Sequence, residues 1–250
     1  MAGQPIFPGL MIQNVGEISL PLSEHQAKDI VNQCEQAPFG CKEETIVDTT
    51  VRNVWQVPSK IVELSNPEWN LTVEKACKEV ANKLGLSDCK VHFELYKVLL
   101  YAKGSFFKEH RDTEKIPNMF ATMVINLPST HEGGELIIRH GTEQMQYSFA
   151  GKSKFYPEFA AFYADCYHED VLPIQSGFRL SLIYNLAIAN RVEQPVLSQQ
   201  EKIIDQANAH VQAWSQKENE NLTLTYLLDH SYSEQNLAIE NLKNHDFAKV

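Results

Sequence analysis

The sequence predicts an α+β fold in which a central β-sandwich or barrel is flanked by helices. Between residues 90 and 188, seven short segments rich in apolar, β-branched and aromatic residues follow one another, each bounded by glycine, proline or polar turns. No segment of helical periodicity separates them, although a parallel α/β sheet would need a helix after nearly every strand. Amphipathic helical segments lie before and after this region.

Two helices are predicted in the N-terminal third of the chain. Residues 22–37 carry apolar side chains at helical spacing, and Ser23 is placed to cap the first turn. A second helix is predicted over 67–84, where Gly85 closes it. Between them, the β-branched stretch 45–57 is typical of one or two strands.

The strands of the central region are bounded by turn residues, and the tail returns to helical periodicity. The seven central strands are predicted at 90–104, 106–112, 120–128, 133–141, 143–151, 159–171 and 177–188. The tail elements are predicted at 197–215 (helix), 222–228 (strand) and from Ser233 onward (helix). Because no linker or repeat divides the chain, we expect one domain over 1–250, with residues 1–89 supporting a core at 90–190 and an extension at 191–250.

Composition and charge narrow the class of protein. The 250 residues carry a net charge of −10, from 22 basic and 32 acidic side chains, which argues against a surface that neutralises nucleic-acid phosphates. No apolar run approaches the roughly 20 residues that cross a bilayer, and the first residues lack the pattern of a secretory signal. The five cysteines form no C-x-x-C pair, so we expect reduced thiols and a cytoplasmic location, with a Cys34–Cys41 disulfide as the alternative.

The segment "FFKEHRD" contains the first candidate metal ligands. On a strand, His110 and Asp112 would project to one face while Arg111 points away. An H-x-D triplet alone is common, so it needs a third ligand from elsewhere, and His168 in "YADCYHEDV" is well placed to supply it. Two imidazoles and one carboxylate on a single face are the ligand set that suits non-haem Fe(II).

The next predicted strand carries a candidate receptor for a carboxylate. Arg179 follows His168 by eleven residues, and Ser181 shares its strand face. A buried guanidinium beside a hydroxyl binds a carboxylate through charge-assisted hydrogen bonds, and Tyr101 is placed to add a phenolic one. A metal triad combined with such a receptor is suited to 2-oxoglutarate, whose 2-oxo acid end would chelate iron while its far carboxylate meets Arg179.

Three stretches carry a family resemblance, namely "LLYAKGSFFKEHRDTEK", "TMVINLPSTHEGGELIIRH" and "YHEDVLPIQSGFRLSLIYNL". In this order and spacing they resemble the Fe(II)/2-oxoglutarate-dependent oxygenases, specifically the prolyl-4-hydroxylase-like branch. The resemblance implies a double-stranded β-helix (jelly-roll) core and iron held by His110, Asp112 and His168. It also implies that 2-oxoglutarate and O2 are converted to succinate and CO2 as a protein or peptide side chain, with prolyl among the candidates, is hydroxylated.

Two features concern the substrate. The stretch "DTTVRNVW" resembles the arginine-bearing strand that precedes the core in that family, which makes Arg52 and Trp55 candidates for a substrate groove. Family members that act on collagen place Lys where this chain has Arg179, and this difference favours the oxygen-sensor and related protein hydroxylases. The loop at 112–121 borders the expected metal site and is a candidate lid over it.

Other residues and functions compete with this interpretation. His131 in a predicted loop and His140 at a strand end are alternative ligands, but solvent exposure is expected for both. Asp165 is expected on the strand face opposite His168 and is assigned a structural role. The alternative functions are a cupin-like metal- or metabolite-binding β-barrel without oxygenase activity, and an oxygenase acting on a small metabolite.

Overall fold

The computed structural model describes residues 5–41, 44–86, 89–151, 153–170 and 173–189, together with Ala209 and Gln212. The chain divides into two compact units, one formed by 1–83 with 87–192 and the other by 84–86 with 193–250. The fold and the site lie in the first unit. The tail elements predicted at 197–215, at 222–228 and from Ser233 lie outside the described residues, except that Ala209 and Gln212 are helical.

The elements before the core are short strands and two helices. In chain order they are β1 (Leu10–Ile12), β2 (Gly16–Glu17), α1 (Glu24–Gln33), β3 (Glu35–Gln36), β4 (Phe39–Cys41), β5 (Glu44–Ile46), β6 (Trp55–Pro58), a 3-10 helix (Ser59–Ile61), β7 (Val62–Leu64) and α2 (Pro67–Lys83). Ser23 caps α1 as predicted, since its hydroxyl accepts a hydrogen bond from the Gln26 amide. Helix α1 ends four residues earlier than predicted because the chain turns extended at Cys34 to form β3, which pairs with β6.

The core consists of nine further strands. They are β8 (Val91–Tyr101), β9 (Met119–Leu127), β10 (His131–Glu132), β11 (Leu136–His140), β12 (Glu143–Tyr147), β13 (Glu158–Tyr163), β14 (Tyr167–Asp170), β15 (Ser176–Gly177) and β16 (Arg179–Ile188). Two antiparallel sheets dominate, one in the order β13-β9-β16-β8-β6-β3 and one in the order β12-β11-β14. The predicted α+β class with a jelly-roll core is therefore confirmed.

Apolar side chains from both sheets meet in one cluster. Leu136 and Ile138 of β11 pack with Phe162 of β13, and Val124 of β9 joins them. The central strand β16 is buried along almost its whole length because β8 and β9 pair with it on either side. The buried residues of this strand include three polar ones, Arg179, Ser181 and Asn185.

Helix α2 is anchored to the six-stranded sheet by a buried hydrogen bond. The indole Nε1 of Trp69 donates to the hydroxyl of Tyr184 at 3.0 Å. Cys34, Cys77, Cys89 and Cys166 carry free thiols, so Cys34 is not in a disulfide. Over the described part of the chain, no helix combines the length and the apolar character needed to cross a bilayer.

Two of the predicted strands differ from the structure. Residues 106–112 form isolated bridges, Phe107 with Arg52 and His110 with His168, and no strand, because successive residues pair with different parts of the chain. The predicted strand 159–171 is divided into β13 and β14 by a turn at 164–166. The turn is required because β13 pairs with β9 in one sheet whereas β14 pairs with β11 in the other.

Candidate metal centre

Three side chains meet at the open edge of β14. One ligand atom from each of His110, Asp112 and His168 lies within 4.8 Å of the other two. The His168 Nε2 atom is 3.8 Å from the Asp112 Oδ2 atom, and the two imidazole rings have centroids 4.0 Å apart. Among the described residues, this is the only group of three or more His, Cys, Asp or Glu side chains so arranged.

Backbone pairing brings the two histidines together. The His110 amide donates to the His168 carbonyl at 3.0 Å, and the His168 amide donates to the His110 carbonyl at 2.9 Å. Residues paired in this way across an antiparallel bridge project side by side, with Cβ atoms about 5 Å apart. His110 and Asp112 are thus brought to the site by a single bridge to β14, and the regular strand expected for 106–112 is not needed.

The hydrogen bonds of both imidazoles select the same tautomer. The Nδ1 atom of His110 lies 2.9 Å from the Lys108 carbonyl oxygen, and that of His168 lies 3.2 Å from the Cys166 carbonyl oxygen. Because a carbonyl oxygen can only accept, Nδ1 carries the proton in each ring and Nε2 keeps its lone pair. A backbone carbonyl behind each ring is also the usual support of a metal-ligating histidine.

The protonation states of the triad suit a divalent cation. Burial, together with the neighbouring His168, lowers the pKa of His110 to about 3, so that this imidazole is neutral near pH 7. Burial acts to raise the pKa of Asp112, but His168, a hydrogen bond from Thr122 and His110 outweigh it and hold the pKa below its ordinary value. The Thr122 hydroxyl donates to Asp112 Oδ2 at 2.6 Å. A neutral imidazole and an ionised carboxylate are the forms that bind metal.

The triad lines a cavity of about 570 Å³. Of the other predicted site residues, Arg52, Tyr101 and Arg179 also line it. The expected lid borders the cavity through Thr113 and Lys115, which are exposed and lie in irregular chain before β9 begins at Met119. The structure therefore brings the predicted metal ligands and the predicted carboxylate receptor to one cavity.

Arg179 is buried in this cavity and is already bound to other protein groups. One terminal nitrogen donates to Asp170 Oδ1 at 2.7 Å, and the other donates to the Gly134 carbonyl oxygen at 2.5 Å. The guanidinium carbon lies 3.8 Å from the centroid of the Tyr101 ring, and the Nε atom is buried without a hydrogen-bond partner. The role of Arg179 as the receptor of a ligand carboxylate stays a prediction, and in the structure Asp170 accepts one of its hydrogen bonds.

Tyr101 and Ser181 differ in their relation to the cavity. Tyr101 stands directly opposite Arg179 in the register of β8 and β16, and burial, with Asp170 adding to it, raises the pKa of its phenol to about 12. The Ser181 hydroxyl donates to Asn126 Oδ1. Asn126 lines the cavity whereas Ser181 does not, so Ser181 orients a cavity-lining amide and is not itself part of the lining.

Arg52 belongs to a stack that reaches the metal ligands. Its guanidinium carbon lies 4.3 Å from the centroid of the Phe107 ring, and the His110 ring centroid lies 3.4 Å from the same point. Arg52 and His110 therefore both pack against the Phe107 ring. Arg52 also donates to the Pro38 carbonyl oxygen at 2.8 Å, and burial lowers the pKa of its guanidinium.

Trp55 does not line the cavity, although it was a candidate for a substrate groove. Its neighbour Gln56 does line it, together with Leu99, the residue paired with Gln56 on β8. Since successive residues of a strand face opposite sides, Trp55 is directed away from the metal centre. Trp55 is therefore outside the lining of this cavity, because the register of β6 on β8 turns Gln56 inward, and its role in a substrate groove stays a prediction.

The competing histidines and Asp165 are also placed. His131 is buried in β10, not exposed in a loop as expected, because β10 pairs with β15 and the ring Nδ1 lies 3.2 Å from the Ser129 carbonyl oxygen. His140 is exposed at the end of β11 as expected. Asp165 lies in the turn between β13 and β14, so the strand-face argument used for it does not apply.

Sequence reasoning missed Asp170, the partner of Arg179. The signal was present, because "YHED" contains a second H-x-D triplet. The same spacing rule that joined His110 to Asp112 would have put Asp170 on the face of His168. Thr122 and Asn126 were missed as well, and no local pattern marks them, since each acquires its role from the strand beside it.

Comparisons with known proteins add the following. No family model and no curated protein matches the chain. A prolyl-4-hydroxylase from Pseudomonas putida is similar in structure at 18% identity, with a TM-score of 0.44 over 65% of this chain and 83% of the other. A 2OG-Fe(II) oxygenase family oxidoreductase from Burkholderia pseudomallei is similar at 16% identity, with a TM-score of 0.40 over 74% and 89%.

A third similar structure is the Trichoplax adhaerens prolyl hydroxylase in complex with a peptide fragment of the hypoxia inducible factor oxygen degradation domain. It is 12% identical, with a TM-score of 0.43 over 72% of this chain and 84% of the other. Solved structures of the 2OG-Fe(II) oxygenase and prolyl hydroxylase type are thus among those that the chain resembles, as its motifs had indicated. At these values the likeness does not bear on chemistry, which has to come from the side chains described above.

Proposed function

We propose that this protein is an Fe(II)-dependent dioxygenase that uses 2-oxoglutarate and O2 to hydroxylate a protein or peptide side chain, with prolyl among the candidates. The observation that carries the proposal is the meeting of His110, Asp112 and His168 at one edge of a cavity. The buried guanidinium of Arg179 in the same cavity supports 2-oxoglutarate as the co-substrate.

The three side chains fit iron by their chemistry. Two imidazoles and one carboxylate form the facial ligand set that suits non-haem Fe(II) and leaves coordination positions open for co-substrate and O2. Both imidazoles present Nε2, since Nδ1 of each faces a backbone carbonyl. When bound, the iron would supply the activation of O2 that couples conversion of 2-oxoglutarate to succinate and CO2 with insertion of one oxygen atom into a substrate C–H bond.

The chain's own residues would bind and orient the co-substrate. The far carboxylate of 2-oxoglutarate would be received by Arg179, with Tyr101 stacked against the guanidinium to fix its plane. Thr122 holds the Asp112 carboxylate in place from the strand beside it. Arg179 and His168 are buried, which strengthens the electrostatic contacts that they make.

The substrate class is proposed from the rim of the cavity. Arg52 and Phe107, both buried and packed on each other, form a cationic and apolar part of the cavity wall next to His110. The exposed segment with Thr113 and Lys115 borders the cavity from another side and is placed to act as a lid on a bound peptide. A small metabolite is the alternative substrate.

The test measures succinate formed from 2-oxoglutarate by the purified protein with Fe(II) in air, first without and then with a peptide pool. We expect turnover in the wild type and its loss in His110→Ala and His168→Ala. The matched control is His140→Ala, which removes an exposed imidazole at the end of β11 and should leave turnover unchanged. Turnover that survives His110→Ala would contradict the proposal.

One observation favours a second candidate, a cupin-like metal- or metabolite-binding barrel without oxygenase activity. The guanidinium of Arg179 already forms an ion pair with Asp170, so its charge is balanced without a ligand carboxylate. The two candidates differ in an anaerobic titration, in which 2-oxoglutarate added to the Fe(II)-loaded protein gives a visible metal-to-ligand charge-transfer band only if it chelates the metal. Absence of the band together with metal binding would favour the binder.

A further inference from the structure

The guanidinium of Arg179 is held on three sides by protein groups. The Tyr101 ring covers one face, the Gly134 carbonyl accepts from one terminal nitrogen and Asp170 accepts from the other. A carboxylate that binds arginine in the strong two-point mode needs two adjacent N–H donors. Each terminal nitrogen already donates one of its two N–H groups to a protein acceptor, and Nε is buried, so a second carboxylate at the guanidinium would approach it beside Asp170.

Of the three groups, Asp170 is the one that an incoming carboxylate would displace. The Gly134 carbonyl belongs to the backbone, in a left-handed conformation (φ +74°) where a Cβ atom would lie 3.0 Å from an Arg179 nitrogen and 2.5 Å from Ile174 Cδ1. The Tyr101 ring is packed within the six-stranded sheet. The Asp170 backbone is held by its amide, which donates to the Phe107 carbonyl oxygen, whereas its carboxylate is a side-chain group that accepts a hydrogen bond from Arg179.

The charges in this part of the cavity also indicate that an incoming carboxylate would displace Asp170. The side chains of Arg179 and Asp170 are 4% and 6% exposed, so their attraction is little weakened by solvent. Together they are neutral, and a second carboxylate brought to the guanidinium would lie beside the first, where like charges repel. Binding of a dicarboxylate at Arg179 is therefore an exchange of one carboxylate for another.

We propose that Asp170 is a specificity-determining residue that competes with the far carboxylate of a dicarboxylic 2-oxo acid for Arg179. This inference rests on the proposed function, namely that a 2-oxo acid binds at the His110, Asp112 and His168 centre. Its consequence is that the protein distinguishes only weakly between 2-oxoglutarate and 2-oxopentanoate, the five-carbon 2-oxo acid that lacks the far carboxylate. Replacing Asp170 by a neutral residue makes the protein selective for 2-oxoglutarate over 2-oxopentanoate.

The experiment measures dissociation constants of the two acids by calorimetry, with no turnover required. The protein is loaded with Co(II), which prefers ligands of this type and binds somewhat more tightly than Fe(II). Two new hydrogen bonds to a free buried guanidinium would favour 2-oxoglutarate by roughly a hundredfold or more. In the wild type we expect a preference for 2-oxoglutarate below about tenfold, because its new hydrogen bonds to Arg179 are offset by the loss of the bond between Asp170 and Arg179.

Two variants make the comparison specific. Asp170→Asn should raise the preference for 2-oxoglutarate by about tenfold or more, while leaving the affinity for 2-oxopentanoate nearly unchanged. The matched control is Asp165→Asn, which makes the same charge change in the turn before β14 and should behave as the wild type does. Circular dichroism establishes that each variant is folded, and if Asp170→Asn is not, the wild-type preference alone decides.

Each outcome has a distinct meaning. A wild-type preference above a hundredfold, or an Asp170→Asn variant with an unchanged preference, would overturn the role of Asp170 and leave the proposed function standing. Failure of both acids to bind the Co(II)-loaded wild type would remove the proposed function and this inference with it. A weak wild-type preference that rises in Asp170→Asn alone supports both.

Discussion

Replacing Arg179 by methionine tests whether the buried pair at the end of the cavity is structural as well as functional. Methionine keeps the length and apolar contacts of the arginine stem but removes the charge and the donors. The change leaves the Asp170 carboxylate buried without its partner and takes away the donor to the Gly134 carbonyl. Both groups are buried, so solvent compensates little for the hydrogen bonds that they lose.

The expected loss of stability follows from these two contacts. Removing one partner of a buried ion pair costs about 3–5 kcal/mol, because the remaining charge is left uncompensated. A buried carbonyl that loses its donor adds a cost of about 1–3 kcal/mol, part of which overlaps with the first. We expect Arg179→Met to lower the free energy of unfolding by about 4 kcal/mol, a large fraction of the roughly 5–15 kcal/mol that folded domains possess.

Urea unfolding followed by tryptophan fluorescence measures this loss. The double variant Arg179→Met/Asp170→Asn should recover about half of it, because the uncompensated charge is gone. Arg139→Met is the control, since its ion pairs with Glu109 and Glu169 lie at the surface and solvent weakens them. A loss below about 1 kcal/mol in Arg179→Met, or a double variant no more stable than the single one, would refute the reasoning.

Three further predictions concern single contacts. Tyr184→Phe should lower the free energy of unfolding by about 1–3 kcal/mol, because the buried indole N–H of Trp69 loses its acceptor. Thermal unfolding measures this loss, and a change within error would show that the hydrogen bond contributes little. Thr122→Val should weaken Co(II) binding about 10–100-fold, because the Asp112 carboxylate loses the hydrogen bond that orients it. Thr122→Ser keeps the hydroxyl and should keep the affinity. A titration with Co(II) measures both affinities, and equal affinities in the two variants would contradict the prediction. Burial, with Arg52 adding to it, lowers the pKa of Lys97 to about 7, so between pH 7 and 10 the unfolded chain binds more protons than the folded one and stability rises with pH. Lys97→Met lacks this contribution, and its stability relative to the wild type should fall as pH rises over that range; a difference independent of pH would contradict the shift.

The elements that depend on local pattern were predictable. Ser23 caps its helix as the sequence indicated, since a side chain that bonds an amide three residues away needs only local chain. The long strands β8, β9 and β16 lie where the β-branched and apolar runs are. The three candidate ligands were chosen by residue type and order along the chain, and the fold brings them within bonding range of a common point.

The errors arose where distant segments choose partners. Residues 106–112 have the composition of a strand but bridge to two different segments, and no local rule specifies that choice. Trp55 and Gln56 are equally plausible cavity residues until the register of β6 on β8 decides which one faces inward. His131 became buried because β15, more than forty residues later, pairs with its strand.

The sequence by itself therefore determined the classes of element and the chemistry on offer: an antiparallel β core, two imidazoles with a carboxylate, and an arginine on the strand after them. Only the tertiary structure decided that the arginine is already bound by Asp170 and that Thr122 and Asn126 support the site. The reason is physical. Capping and strand alternation act over a few residues, whereas register, burial and ion pairing depend on which segments pack together, and that is settled by the free energy of the whole fold.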